Sequence, residues 1–141
     1  MKNTDEAINI SIYLQNIFNE IDYPNPSYIK GICFKTQKFK EELSKFYKIP
    51  LEKIKLRKIN KSIDKIFYSW LGKNNNTDLI INKIYNKIGK DIKVYIPTKD
   101  SDLEYLLSGE SNGLSGMFFV EETYFIECSN YIICLLLGNN E

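Results

Sequence analysis

The sequence predicts an α+β fold, with N-terminal helices packed on a C-terminal, mostly antiparallel β-sheet. Three observations lead there. The most apolar stretch, Gly116–Gly138 (GMFFVEETYFIECSNYIICLLLG), is rich in aromatic and β-branched residues, as strands are. Upstream, apolar residues recur at three-and-four spacing in several separate segments, the mark of amphipathic helices. The helical periods come first and the strand-like ones last. A length of 141 residues with 43% hydrophobic residues is expected to make one domain, helical over about 1–90 and sheet-forming over about 91–141.

The apolar run breaks at Glu121-Glu122 and at Ser129-Asn130, which predicts a meander of three strands. A two-residue turn at Ser129-Asn130 pairs Cys128 with Tyr131, Ile126 with Ile133 and Tyr124 with Leu135. Side chains alternate along a strand, so those six share one face, and Phe125, Glu127, Ile132, Cys134 and Leu136 share the other. Both faces are apolar apart from Glu127, so both are expected to be covered by helices.

Taken in order, Thr4 is the expected N-cap of a helix over 4–21, whose buried stripe is Ala7, Ile10, Leu14, Ile17, Phe18 and Ile21. Pro24 and Pro26 stop it. Residues 27–36 suit a short strand, and 37–47 a helix with Phe39, Leu43, Phe46 and Tyr47 on one side. Residues 51–59 fit either a helix or a strand. Asn60 is the expected cap of a helix carrying Ile63, Ile66, Phe67, Trp70 and Leu71 and ending at Gly72. Thr77 is the expected cap of the next, carrying Ile80, Ile81, Ile84, Tyr85 and Ile88 and ending at Gly89. Residues 92–96 read as a short strand, offered as an exposed edge able to pair between chains. Ser101-Asp102 opens a short helix with Leu103, Leu106 and Leu107, followed by a glycine-rich loop.

The chain has no histidine, which removes Ser-His, Cys-His and most zinc chemistry. Gly109-Glu110-Ser111-Asn112-Gly113 matches the nucleophile-elbow spacing, but it lacks the preceding strand and the histidine that the elbow requires. Glycine-rich cofactor loops and calcium-loop spacing are absent, so no cofactor and no metal are expected and the chain reads as non-catalytic. Cys33, Cys128 and Cys134 have no CxxC spacing and read as buried thiols. The N-terminus lacks the apolar segment of a signal peptide, and no run reaches the roughly 20 apolar residues of a membrane span, so a cytoplasmic protein without a membrane partner is expected.

Charge is segregated. Residues 1–29 carry −3, residues 30–99 carry +12 and residues 100–141 carry −8. Each charged block is a candidate surface. Lys53, Lys55, Arg57, Lys58 and Lys61, with Lys65 beyond and Lys38, Lys40, Lys45 and Lys48 upstream, have the composition of a phosphate-neutralising patch. Phe39, Phe46, Tyr47 or Tyr68 are the aromatics available to stack on bases, although they sit at helical core spacing. The scarcity of arginine also argues against nucleic acid. The acidic block, gathered on one rim of the sheet, would steer a basic partner.

The C-terminal third, with its GLSGMFF, YFIE and YIICLLLG segments ending in Asn139-Asn140-Glu141, resembles small bacterial immunity proteins. These are the cytosolic inhibitors paired with polymorphic or contact-dependent growth-inhibition toxins. The resemblance implies a protein that plugs the active site of one toxin, often a nuclease, with acidic side chains. It implies salt bridges to a cognate toxin from Glu110, Glu121, Glu122 and Glu127, with Tyr105 and Tyr124 as exposed aromatic anchors. The Lys-rich middle segment remains the alternative, as the site of a nucleic-acid-binding accessory protein.

Overall fold

A computed structural model describes residues 2–21, 28–101, 103, 107 and 119–139. Among them are four α-helices and five strands. The order is α1 (Lys2–Asn19), β1 (Tyr28–Lys35), α2 (Phe39–Tyr47), β2 (Leu56–Ile59), α3 (Ile63–Leu71), α4 (Asn75–Ile88), β3 (Ile92–Pro97), β4 (Phe119–Cys128) and β5 (Tyr131–Asn139). The strands form one sheet in the order β1-β5-β4-β3-β2, antiparallel throughout. The fold is α+β, as the segregated periods indicate. The first ninety residues are not purely helical, however, because β1 and β2 both come from them.

The hairpin register is the expected one: Cys128 faces Tyr131, Ile126 faces Ile133 and Tyr124 faces Leu135. Ser129 takes a left-handed φ of 53°, which a two-residue turn demands. The break expected at Glu121-Glu122 is not a turn. Strand β4 runs through it with a bulge between Val120 and Glu122, so one extra residue bends the strand without ending it.

Both faces of the sheet are covered. On one, Tyr124, Ile126, Cys128, Ile133, Leu135 and Leu137 pack with α1 (Ile10, Leu14, Phe18), α3 (Ile66, Phe67) and α4 (Ile81, Ile84). On the other, Phe125, Ile132, Cys134 and Leu136 pack with Phe39 and Leu43 of α2, with Ile49 and Ile54, and with Leu103 and Leu107. Leu106, expected beside those two leucines, and the glycine-rich loop lie outside the described residues. Cys128 and Cys134 fall on opposite faces, as alternation requires.

Local starts and stops differ in instructive ways. Ser62, not Asn60, caps α3, accepting from the Lys65 amide at 3.3 Å. Asn74, not Thr77, caps α4, accepting from the Thr77 amide at 2.9 Å. Thr77 sits inside the first turn, fully buried, and its hydroxyl also donates to Asn74 (3.2 Å). Helix α1 begins at Lys2, ahead of Thr4. Residues 51–59 divide, with a 3-10 turn at Leu51–Lys53 and then β2. Strand β3 lies between β4 and β2, so it is interior; the edges are β1 and β2.

Candidate functional site

Of the acidic residues expected to form one rim, Glu122 and Glu127 do not converge. Glu122 and Glu127 point to opposite faces of β4, in accord with their register partners. Glu122 is folded onto the sheet: Trp70 donates its indole N–H to it at 2.9 Å and Tyr124 its hydroxyl at 2.7 Å. Tyr124 is 5% exposed and therefore is not a surface anchor; its ring is core, and its hydroxyl also accepts from Lys61 Nζ at 2.9 Å. Glu127 is half-buried and accepts from Tyr95 at 3.1 Å. Glu121 lies at the β4 bulge. Glu110 and Tyr105 lie outside the described residues.

The same motif recurs between α3 and α4. Tyr85 donates to Asp64 at 2.6 Å, and Tyr68 donates to Asp78. Burial and the Asp64 carboxylate push the Tyr85 hydroxyl up to about 12, so it stays a donor across ordinary pH. Hydrogen bonding to Asp78 raises Tyr68 likewise, and burial with the Glu127 contact raises Tyr95. Glu122, Glu127, Asp64 and Asp78 are thus all held by aromatic donors of the protein itself.

The lysine-rich segment is divided by the fold. Arg57 and Lys58 are exposed on β2, where alternation sends them to opposite faces. Lys55 lies 3.9 Å from Asp100, whose carboxyl is held low by the Thr98 hydroxyl and then by Lys55. Lys53 ends the 3-10 turn before β2. Lys61 belongs to the Tyr124 network, 5.2 Å from the ring centroid. Of the expected patch, Lys55, Arg57 and Lys58 are exposed, Lys55 in a surface pair with Asp100, while Lys61 is engaged with Tyr124. Of the expected stacking aromatics, Phe39 is buried, Tyr47 and Tyr68 are half-buried, and Phe46 is 56% exposed.

Phe46 belongs to a groove that the charge pattern alone does not mark. The groove, about 600 Å³, wraps the β1 edge between α1 and α2. Ile8 and Ile12 of α1 form one wall, 56% and 54% exposed, and Phe46 of α2 forms the other. Ile32 lies between them, and Lys35, Lys38, Lys45 and Glu42 rim it. The ammonium of Lys30 sits 5.5 Å from the Phe46 ring. A signal was legible: Ile8 and Ile12 are four apart and outside the Ala7, Ile10, Leu14 stripe, so α1 is apolar on a second face.

Side chains of α1 occupy three backbone groups along this edge, the first of them within the groove. Ser11 accepts the Cys33 amide at 2.8 Å while donating to the Ala7 carbonyl at 3.0 Å. Gln15 accepts from the Gly31 amide at 3.4 Å and donates to the Ile29 carbonyl at 3.3 Å. Gly31 permits the approach, since a Cβ there would meet the Phe18 ring at 2.9 Å.

The three thiols are free and buried. Burial pushes Cys33 and Cys134 up to about 12 and Cys128 to about 11, so all three stay protonated at neutral pH. Among the described residues, no group of three or more Cys, Asp or Glu is placed to hold a metal, and no helix is long and apolar enough to cross a membrane. Comparison with protein-family models, curated proteins and solved structures finds no match to this chain.

Proposed function

We propose that the protein is a non-catalytic cytosolic inhibitor that binds and neutralises one protein partner, a cognate toxin, by occluding it. The observation that carries this reading is the sorting of charge. Among the described residues, Glu122, Glu127, Asp64 and Asp78 turn onto Tyr and Trp donors, while Lys38 and Lys45 stand exposed beside Ile8, Ile12 and Phe46. Exposed aliphatic side chains beside charge favour a protein partner, because nucleic acid offers them little. The sorting also reverses the expected polarity. A lysine-rich rim beside these apolar residues attracts an acidic patch on the toxin, and Glu122 serves the fold instead of the contact.

A second reading rests on Arg57 and Lys58, exposed together on the outer strand β2. With the exposed Lys55 beside them they offer a phosphate-binding edge for nucleic acid.

The test is binding of purified protein to two ligands: the C-terminal domain of the protein encoded immediately upstream, and a mixed RNA/DNA pool at near-physiological salt. Stoichiometric binding to the neighbour, with loss of its toxicity, is the expected result. Salt-sensitive binding to nucleic acid alone, weakened by Arg57→Glu with Lys58→Glu, would replace the inhibitor with the second reading.

A further inference from the structure

We infer that the groove at the β1 edge is a docking site for an acidic amphipathic α-helix presented by another protein. The inference rests on the reading above only in taking the partner to be a protein. Three observations select the occupant. The first is apolar shape: Ile8 and Ile12 of α1 and Phe46 of α2 stand more than half exposed on opposite walls of a groove of about 600 Å³, with Ile32 between them. Facing apolar walls of this kind accept side chains repeating at helical spacing.

The second is charge. Lys35, Lys38 and Lys45 rim the groove against one acid, Glu42. A second copy of this chain would bring two such cationic rims together, which like-charge repulsion opposes. An acidic occupant neutralises the rim and gains the apolar contact as well.

The third is the state of the strand edge. An open edge would invite a strand. Here Ser11 already accepts the Cys33 amide, and Gln15 bridges the Gly31 amide and the Ile29 carbonyl. A partner strand would have to displace both residues of α1. A helix satisfies its own backbone and needs only side-chain contact, so it fits an edge whose amides at Gly31 and Cys33 are already taken.

The experiment uses isotope-labelled full-length protein and three synthetic 18-residue peptides. One is a leucine-striped helix with glutamate at the polar positions, the second has lysine there, and the third alternates valine and glutamate to favour a strand. The expected result is that the acidic helix shifts the amides of Ile8, Ile12, Ile32 and Phe46 and binds at least tenfold more tightly than the other two. Ile12→Asp should weaken that binding tenfold or more without changing Tm, because the side chain is over half exposed. Lys38→Glu with Lys45→Glu should invert the preference toward the basic helix.

Equal binding of the basic helix, stronger binding of the strand peptide, or shifts confined to another surface would overturn the inference. So would concentration-dependent shifts of the groove amides without peptide, which would make the occupant a second copy. The two readings fail separately. Groove binding of the peptide with no binding of the upstream-encoded domain removes the toxin but keeps the groove. Binding of that domain while the acidic helix fails to bind the groove does the reverse.

Discussion

The two edges of the sheet are protected by opposite means. At β1, α1 lies alongside and its Ser11 and Gln15 occupy outward backbone groups of the strand. At β2, the strand is only four residues long and carries Arg57 and Lys58, exposed on opposite faces. One edge is covered by hydrogen bonds and the other by shortness and charge, two of the devices that keep sheets from pairing with neighbours. The covered edge leaves its surroundings free to be apolar, and the exposed groove appears there. The charged edge has no such freedom.

The largest break in this comparison should come from Gly31. Gly31→Val places side-chain carbon against the Phe18 ring, where even a Cβ would sit at 2.9 Å, and lifts α1 from the β1 edge. Overpacking of this kind costs about 1–3 kcal/mol. A matching fall in the urea midpoint, with unchanged m-value, is the expected readout. Ser11→Val comes next. It orphans the Cys33 amide at a cost of roughly 1–2 kcal/mol, and hydrogen exchange at Cys33 should accelerate while exchange at Val94 does not.

Alkaline pH sharpens the same contrast. The Cys33 thiol lies on β1 and is raised from 9.0 to about 12 by burial, and Tyr85 is raised from 10.0 to about 12. A raised folded-state value means that the stabilisation is complete below the unfolded value and is lost as pH climbs through the folded one. Tm should therefore hold through neutral pH and decline from about pH 9 toward 12. Thiol reagents at pH 8 should leave native protein unmodified and label three cysteines after denaturation. Persistent labelling of native protein would mean that the core opens more readily than its packing implies.

The smallest effect belongs to the charged edge. Arg57→Thr with Lys58→Val should change stability by no more than about 0.5 kcal/mol per site, because both side chains are exposed. Self-association should nevertheless rise, visible as concentration-dependent mass in sedimentation. If the double variant stays monomeric while Ser11→Val aggregates, charge contributes little and the hydrogen-bonded edge is the one that matters.

Periodicity made the helices, the hairpin register and the opposite facing of Cys128 and Cys134 legible in advance, because each follows from local spacing. The caps moved because Ser62 and Asn74 were closer to the true helix starts than their neighbours of similar chemistry, and single residues decide such boundaries. Strand β2 was ambiguous because four residues support both periods. The candidate site was least legible. Charge counts show how many carboxylates the C-terminal third holds, but not that Glu122 lies under Trp70, 52 positions away. Nor does local pattern place Phe46 across a groove from Ile12. Those juxtapositions are set by tertiary packing.

The pairing of β1 with β5 has a consequence for how the chain is made. Tyr28 meets Gly138, and Lys35 meets Tyr131. Among the described residues, β5 is the only strand beside β1, and it also separates β1 from the rest of the sheet. During synthesis the helices can form early, but α1 and β1 must wait for residues up to 139 to leave the ribosome before the sheet can close. Until then Ile10, Leu14 and Phe18 of α1 stand uncovered beside Ile8 and Ile12, which stay exposed in the finished fold, and a chaperone would meet the nascent protein on a wider apolar surface than the folded one presents.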